Sequence, residues 1–177
     1  MKSKKITTER LYLLPFTIQI AKEVMDGHFT SLSAQGLNPG KGWPDEDLME
    51  CLPRIIENLE LAGEPSGFES WMIIDKASKS LIGDGGFKGR PDAEGVVDLG
   101  YGIIAAERRK GYAAEAAEGL IKWAFKQPEV KVITARCRHV NEASTKTLTN
   151  LGFYQKFIKE EMVHWFLLRE PNKKITE

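Results

Sequence analysis

Three cations and a glycine stand together at Arg108-Arg109-Lys110-Gly111-Tyr112-Ala113, between an apolar run and an alanine-rich helical pattern. A strand that passes through a basic turn straight into a helix makes an anion site. The unpaired N–H groups of the first helical turn and the positive end of the macrodipole converge there. Gly111 lets backbone come close to a phosphate, and Ala113 keeps the first turn small. Arg108, Arg109 and Lys110 add positive charge. A solvated basic turn ahead of an ordinary helix has the same composition, so these residues alone leave both readings open.

Other reactive side chains are less suggestive. Cys137 and His139 lie two apart on a predicted strand, the spacing of a nucleophilic pair. A core thiol beside a strand-end histidine has the same spacing. His28 and His164 lie in other segments and form no metal-ligand pattern, so no metal is expected. Gly83-Asp84-Gly85-Gly86-Phe87-Lys88-Gly89 lacks a Gly-Lys-Ser/Thr ending and no helix follows it. It reads as a strand with a bulge and a turn.

The elements that must position these residues follow from periodicity. Thr8 to Phe16 reads as a first strand, ending near Pro15. Thr17 to Met25 has helical apolar spacing at Ile18, Ala21 and Met25. Ser31 to Asp47, rich in Gly, Pro, Ser and Asn, is expected to be a long loop. Asp45 to Leu61 is a helix with Leu48, Leu52, Ile55, Ile56 and Leu59 on one side, and Pro53 inside it marks a kink or a later start. Trp71 to Ile74, Leu81 to Phe87 and Val96 to Ala105 are strands joined by turns, which suggests an antiparallel meander. Gly111 to Lys126 carries one apolar stripe through Ala113, Ala116, Ala117, Leu120, Ile121 and Ala124. Glu115 complements the dipole of that helix and orders the loop. Lys131 to Arg138 is a strand, Glu142 to Leu151 a short helix stopped by Gly152, and Phe157 to Leu168 the last strand or strands. Tyr154, Trp165 and Phe166 read as core aromatics. The order β-α-α-β-β-β-α-β-α-β gives an α+β sheet with helices packed on it.

Bulk properties narrow the class. A length of 177 residues fits a single domain over 1–177, and the 42% hydrophobic content suits a globular core. Lys plus Arg equals Asp plus Glu at 25 each, which argues against a general nucleic-acid or membrane-surface binder. Leu11 to Phe16 is too short for a signal-peptide core, and no run is long enough to span a bilayer. Cys51 and Cys137 are far apart with no Cys-x-x-Cys partner, which favours a reducing, cytoplasmic setting. A dinucleotide fold would need Gly-x-Gly-x-x-Gly after an early strand and a parallel βαβ series, and neither is present.

The loop matches the pattern Arg/Gln-x-x-Gly-x-Gly/Ala. Downstream, a strand ends in His139-Val140-Asn141-Glu142-Ala143-Ser144, followed by a helix and Leu151-Gly152-Phe153. In this order the segments resemble the GNAT superfamily of acyl-CoA N-acyltransferases. Glu9-Arg10-Leu11-Tyr12-Leu13-Leu14-Pro15-Phe16, Leu99-Gly100-Tyr101 and Gly111-Tyr112-Ala113-Ala114-Glu115-Ala116 are similar to its ribosomal-protein N-terminal acetyltransferase branch. The resemblance covers nearly the whole chain. It implies a mixed, largely antiparallel sheet splayed between two strands. It also implies acetyl-CoA as co-substrate, with the pyrophosphate at Arg108, Arg109, Lys110, Gly111, Tyr112 and Ala113. The pantetheine arm would lie against the strand Gly102 to Ala105, at Ile103 and Ile104, in the opening toward Val132 to Arg138. Asn141 matches an asparagine that hydrogen-bonds that arm, and an N-cap role is equally open to it. Ser144 falls near the thiol sulfur, and a polar residue in a first helical turn also fits it.

The implied chemistry is amine attack on a thioester. It needs a base, because a peptide α-amine has a pKa of about 8 and a lysine amine of about 10.4. Asp98, just before Leu99-Gly100-Tyr101 where many members carry Glu, is the first candidate, acting through a water. A solvent-facing strand-end Asp has the same signature, and His139 is an alternative base. Strand N–H groups are expected to hold the oxyanion. Many relatives place a tyrosine, as acid for the thiolate, four residues before the Gly of Leu-Gly-Phe. Leu148 stands there instead, so the acid role falls to Ser144 or to water. The acceptor is expected on the face opposite coenzyme A, bordered by Ser31 to Asp47 and the C-terminal strands. Trp43-Pro44 forms a rigid element there, Asn38-Pro39-Gly40 a turn, and Asp45-Glu46-Asp47 an acidic end. A protein N-terminus or a small amine such as an aminoglycoside or polyamine fits this class, in a monomer or homodimer. A non-catalytic acyl-CoA-binding module would keep the loop and Asn141 but lack turnover.

Overall fold

The computed structural model describes residues 4–170. The chain opens with β1 (Ile6–Thr7) and β2 (Leu11–Pro15), paired antiparallel. Leu11 and Leu13 are fully buried while Tyr12 and Leu14 are half-buried, the alternation expected of a strand with one core face. Helix α1 (Ile18–Met25) starts where the Thr17 side chain accepts the Ile20 N–H. Next come α2 (Thr30–Ala34), β3 (Asn38–Pro39) and α3 (Glu46–Ala62), the last N-capped by Asp45, which accepts the Leu48 N–H at 3.0 Å. Strands β4 (Ser70–Asp75), β5 (Ser80–Phe87) and β6 (Val96–Ile103) form the antiparallel meander. A 3-10 turn (Ala105–Glu107) leads into α4 (Tyr112–Phe125). Strand β7 (Val132–Arg138), α5 (Glu142–Asn150), β8 (Tyr154–Lys159) and β9 (Met162–Leu168) complete the described chain.

The sheet order is β1-β2-β4-β5-β6-β7-β9-β8, with β3 lying parallel to the start of β5. Besides that short contact, only β6 and β7 run parallel among the described residues. They must, because α4 is a crossover that returns the chain to the same end of the sheet. This is the mixed, largely antiparallel sheet expected from the resemblance.

Helix α4 is fixed to one face by aromatic packing. Trp123 sits 5.1 Å from Phe68, 5.6 Å from Trp71 and 6.0 Å from Phe87, ring centre to ring centre. The pairings Leu13↔Ile73↔Gly83↔Ile103 and Phe87↔Leu99↔Ala135 run across that face. Leu14, Met72, Asp84, Gly102 and Asp98 therefore belong to the opposite face. Near its centre β5 carries an extra residue, Ile82, because Ile73 pairs with Gly83 and Ile74 with Leu81. This bulge lies two residues before Asp84.

The structure revises three expectations. The segment Ser31 to Asp47 is not wholly an open loop, since α2 covers its first four residues and β3 covers Asn38–Pro39. Its apolar residues Leu32, Leu37 and Trp43 are buried, and burying them orders the chain despite its turn-like composition. The C-terminal segment is a hairpin of two strands that begins at Tyr154, and a further short strand, β1, precedes the expected first strand, which is β2. Helix α3 contains Pro53 within its span and starts at Glu46, close to the expected boundary.

Candidate active site

Strands β6 and β7 part company half-way along. Their paired residues run from Val96↔Val132 to Leu99↔Ala135, yet β6 continues to Ile103 and β7 to Arg138. Gly100 to Ile103 thus face a gap. Because the Ile104 N–H is given to Ile82 on the β5 side at 2.9 Å, strand alternation turns the Tyr101 N–H and C=O and the Ile103 N–H toward the gap. A Cβ built on Gly100 or Gly102 would meet nothing within 4 Å, so the surface above them is open. Ile103 and Ile104 themselves are core side chains, 6% and 1% exposed, and only their backbone can serve a ligand.

At the end of β6 the chain turns through the basic loop into α4. Two of its residues are left-handed, Arg109 at φ 63° and Gly111 at φ 82°. Such a conformation lets neighbouring N–H groups converge into a concave nest, here directly under the α4 N-terminus. No side chain caps that terminus, so its donors are available to an anion. Some of the loop's charge is already employed. Arg108 Nε donates to the Ile103 carbonyl at 2.9 Å, and Lys110 is paired with Glu107 at 2.7 Å. Arg109 is exposed and forms no ion pair among the described residues. Glu115 orders the loop from below. It accepts from Thr8 Oγ1, from the Arg10 N–H and from Arg10 Nε at 2.6–2.7 Å, while Arg10 Nη1 holds the Lys110 carbonyl. Desolvation is the largest single influence and raises its carboxyl, but these bonds and the Arg10 charge together outweigh it and hold the carboxyl below the usual range.

Across the gap stands the start of α5. Asn141 is its N-cap, accepting the Ser144 N–H at 3.0 Å through Oδ1. Its exposed amide NH₂ remains free to donate. Ser144 is half-buried in the first turn. Leu148 is 1% exposed and belongs to the core. The sequence reading overlooked Tyr101, whose Oη is buried without a hydrogen-bond partner among the described residues. Burial pushes its phenol up to about 12, Cys137 adds to the rise, and the nearby hydroxyls of Ser144 and Thr147 oppose it without closing a hydrogen bond. An orphaned phenol on the part of β6 that borders the gap fits a ligand arm inserted there.

Two carboxylates lie on the face opposite α4. Asp98 is engaged by Lys88 at 2.5 Å, Arg136 at 3.1 Å and Thr134 Oγ1 at 3.0 Å. It sits in the closed part of the β6–β7 pair, opposite Thr134. Asp84, in contrast, is paired across β5–β6 with Gly102, beside the open part. Its carboxylate takes part in no hydrogen bond or ion pair among the described residues. Desolvation pushes its carboxyl up to about 7, and repulsion from Asp45 and Asp47 at the start of α3 adds to the rise.

The remaining candidates separate. Trp43 is 4% exposed and packs 6.1 Å from Phe29, so it is a core residue and not a free wall of the cleft. Cys137 is buried and accepts from Trp165 Nε1 at 3.3 Å, whereas His139 lies beyond the end of β7, exposed, with its ring at the Glu161 carbonyl. They do not form a pair. Among the described residues no group of three or more His, Cys, Asp or Glu is placed to hold a metal, and no helix is long and apolar enough to cross a membrane.

This geometry has counterparts in known proteins. The acetyltransferase (GNAT) domain family matches residues 10–154. The uncharacterized N-acetyltransferase YjdG of Bacillus subtilis (strain 168) is 36% identical over 160 residues, 90% of this chain and 95% of that protein. Among solved structures, a putative ribosomal-protein-serine acetyltransferase from Vibrio cholerae superposes with TM-score 0.65 at 18% identity, covering 96% of this chain and all of that one. RimL, a ribosomal L7/L12 alpha-N-protein acetyltransferase solved with coenzyme A, superposes with TM-score 0.67 at 12% identity over 93% of this chain and 98% of its own. The forked sheet, the basic turn at the head of α4 and the family match over most of the chain make this protein an acetyltransferase of the GNAT family.

Proposed function

We propose that the protein transfers the acetyl group of acetyl-CoA to the α-amine of a protein or peptide N-terminus, by direct attack within a ternary complex. The observation that carries the donor half is the basic turn, in which left-handed Arg109 and Gly111 deliver the chain to an uncapped helix N-terminus beside the fork. The pyrophosphate binds at the amides of Arg109 to Ala113, with Arg108 bracing the turn. The pantetheine arm runs along the backbone of Tyr101 to Ile104 and takes a hydrogen bond from the Asn141 amide. The Tyr101 and Ile103 N–H groups are placed for the developing oxyanion. Ser144 or water returns a proton to the thiolate. Asp98 is braced by two cations and holds the closed end of the fork, a role its partners support better than proton abstraction.

An α-amine acceptor is supported by the fold's likeness to ribosomal-protein acetyltransferases and by chemistry, since an α-amine is less protonated near pH 7 than a lysine. The acidic start of α3 suits any cationic amine, so aminoglycosides and polyamines form the second reading. A thiol-release assay with acetyl-CoA against N-terminal peptides, aminoglycosides and polyamines decides between them. Turnover on the small amines with none on peptides overturns the α-amine reading. Acetyl-CoA binding with no turnover on any amine leaves a binding module.

A further inference from the structure

The geometry points to Asp84 as the group that takes the proton from the acceptor ammonium, with Asp45 and Asp47 drawing that cation to it. The inference rests on the acetyl-transfer reading of the site. Three observations place it. Asp84 is the cross-strand partner of Gly102, in the part of β6 that has left β7. Its side chain lies on the face opposite α4, where Gly100 and Gly102 leave the surface bare. Its carboxylate is desolvated and unpartnered, while Asp98, four residues back along β6, is held by Lys88, Arg136 and Thr134. Four residues of strand span about 13 Å, so the two carboxylates cannot serve the same nitrogen.

The charged groups facing Asp84 are Asp45 and Asp47 from the start of α3, and they repel its ionised form. Farther along the same face lies Asp98 with its two cations. A carboxyl raised to about 7 is half ionised at neutral pH and basic enough to compete for an ammonium proton. The step balances as follows. Asp84 carboxylate accepts one proton from R–NH₃⁺. The freed amine pair attacks the thioester carbonyl carbon, and the C–N bond forms as the carbonyl π pair moves to oxygen. That pair returns, the C–S bond breaks, and the sulfur leaves with its electrons. The second nitrogen proton goes to the thiolate through Ser144 or water. The products are the N-acetyl amide and coenzyme A thiol, and Asp84 then loses its proton to solvent.

The test compares wild type, Asp84→Asn, Asp98→Asn and Asp45→Asn/Asp47→Asn. Thiol release is followed from pH 5.5 to 9.5 with saturating acetyl-CoA and an Ala-initiated tetrapeptide, spermidine replacing the peptide if only small amines turn over. Acetyl-CoA affinity is measured separately by calorimetry. Asp84→Asn should lose roughly a hundredfold in kcat with acetyl-CoA affinity unchanged, and should lose the rising limb near pH 7. Asp98→Asn should keep that limb. The double variant should raise the acceptor KM and move the limb to lower pH, because two repelling charges are gone. Thermal melts add a readout independent of turnover. Asp84→Asn should melt higher than wild type at pH 8, where the wild-type carboxylate is ionised, and the gain should shrink toward pH 5. An active Asp84→Asn with its limb intact overturns the inference and leaves the acetyl-transfer reading standing. A wild-type protein that neither binds acetyl-CoA nor turns over any amine overturns that reading instead.

Discussion

The Arg10 guanidinium meets Glu115 at 2.7 Å and, with its other arm, holds the Lys110 carbonyl at 2.8 Å. One arginine from the start of β2 thus links the first turn of α4 to the loop that precedes it. The ring of Tyr112 lies 4.5 Å beneath the same guanidinium. The turn proposed to bind the pyrophosphate is therefore braced before any ligand arrives, and a preformed site loses less ordering entropy on binding.

Breaking that brace should weaken the donor site. Glu115→Gln keeps the shape but removes the charge, and charge-assisted hydrogen bonds contribute about 1.5–3 kcal/mol each at most. Acetyl-CoA affinity should fall several-fold by calorimetry, and thermal stability should fall at pH 7. The sign with pH follows from a carboxyl depressed in the folded state. Its stabilisation is present above the unfolded value and is lost as pH falls through the folded one. The melting difference between wild type and Glu115→Gln should therefore close in the acid range.

Gly111 adopts φ 82°, and a Cβ there would meet Arg10 Nη2 at 3.3 Å. Gly111→Val places a branched side chain in a left-handed conformation and against the bracing arginine, costing about 1–2 kcal/mol in backbone strain. The fold should survive in circular dichroism. Acetyl-CoA binding should drop at least tenfold, because the turn can no longer present its amides. Unchanged affinity in a folded variant would move the phosphate site elsewhere.

Asn141 caps α5, and substitution can separate that cap from its proposed bond to the pantetheine arm. Asn141→Asp keeps an oxygen to cap the Ser144 N–H and adds favourable charge at a helix N-terminus, so stability should hold or rise. It removes the NH₂ donor, so the acetyl-CoA KM should rise. Asn141→Ala loses both, with a further stability loss of about 1 kcal/mol in denaturant melts. Equal KM values for wild type and Asn141→Asp would leave the residue as a cap alone.

Tyr101 Oη is buried without a partner among the described residues. Leaving a buried hydroxyl unsatisfied costs about 1–3 kcal/mol, so Tyr101→Phe should be as stable as wild type or more so. If the phenol serves the ligand arm beside Ser144, the same variant should lose turnover or donor affinity. A variant that gains stability and keeps full activity would make the phenol a packing residue only.

The sequence by itself determined the elements that follow period: the helices, the meander, the alanine-rich α4 and the basic turn at its head. It did so because side-chain periodicity and the residue types of a basic, glycine-containing turn act locally. The segment from Thr30 to Trp43 escaped that logic, since burial of Leu32, Leu37 and Trp43 against the rest of the protein outweighs its turn-rich composition. The assignment of the carboxylates escaped it too. Asp98 and Asp84 each stand among apolar residues and glycines in a strand, and nothing local tells them apart. Only the tertiary structure brings Lys88 and Arg136 to one, and desolvation with Asp45 and Asp47 to the other. Strand pairing decides which of them lies where β6 and β7 separate, because a carboxylate's chemistry is set by the charges and solvent around it and not by its own residue type.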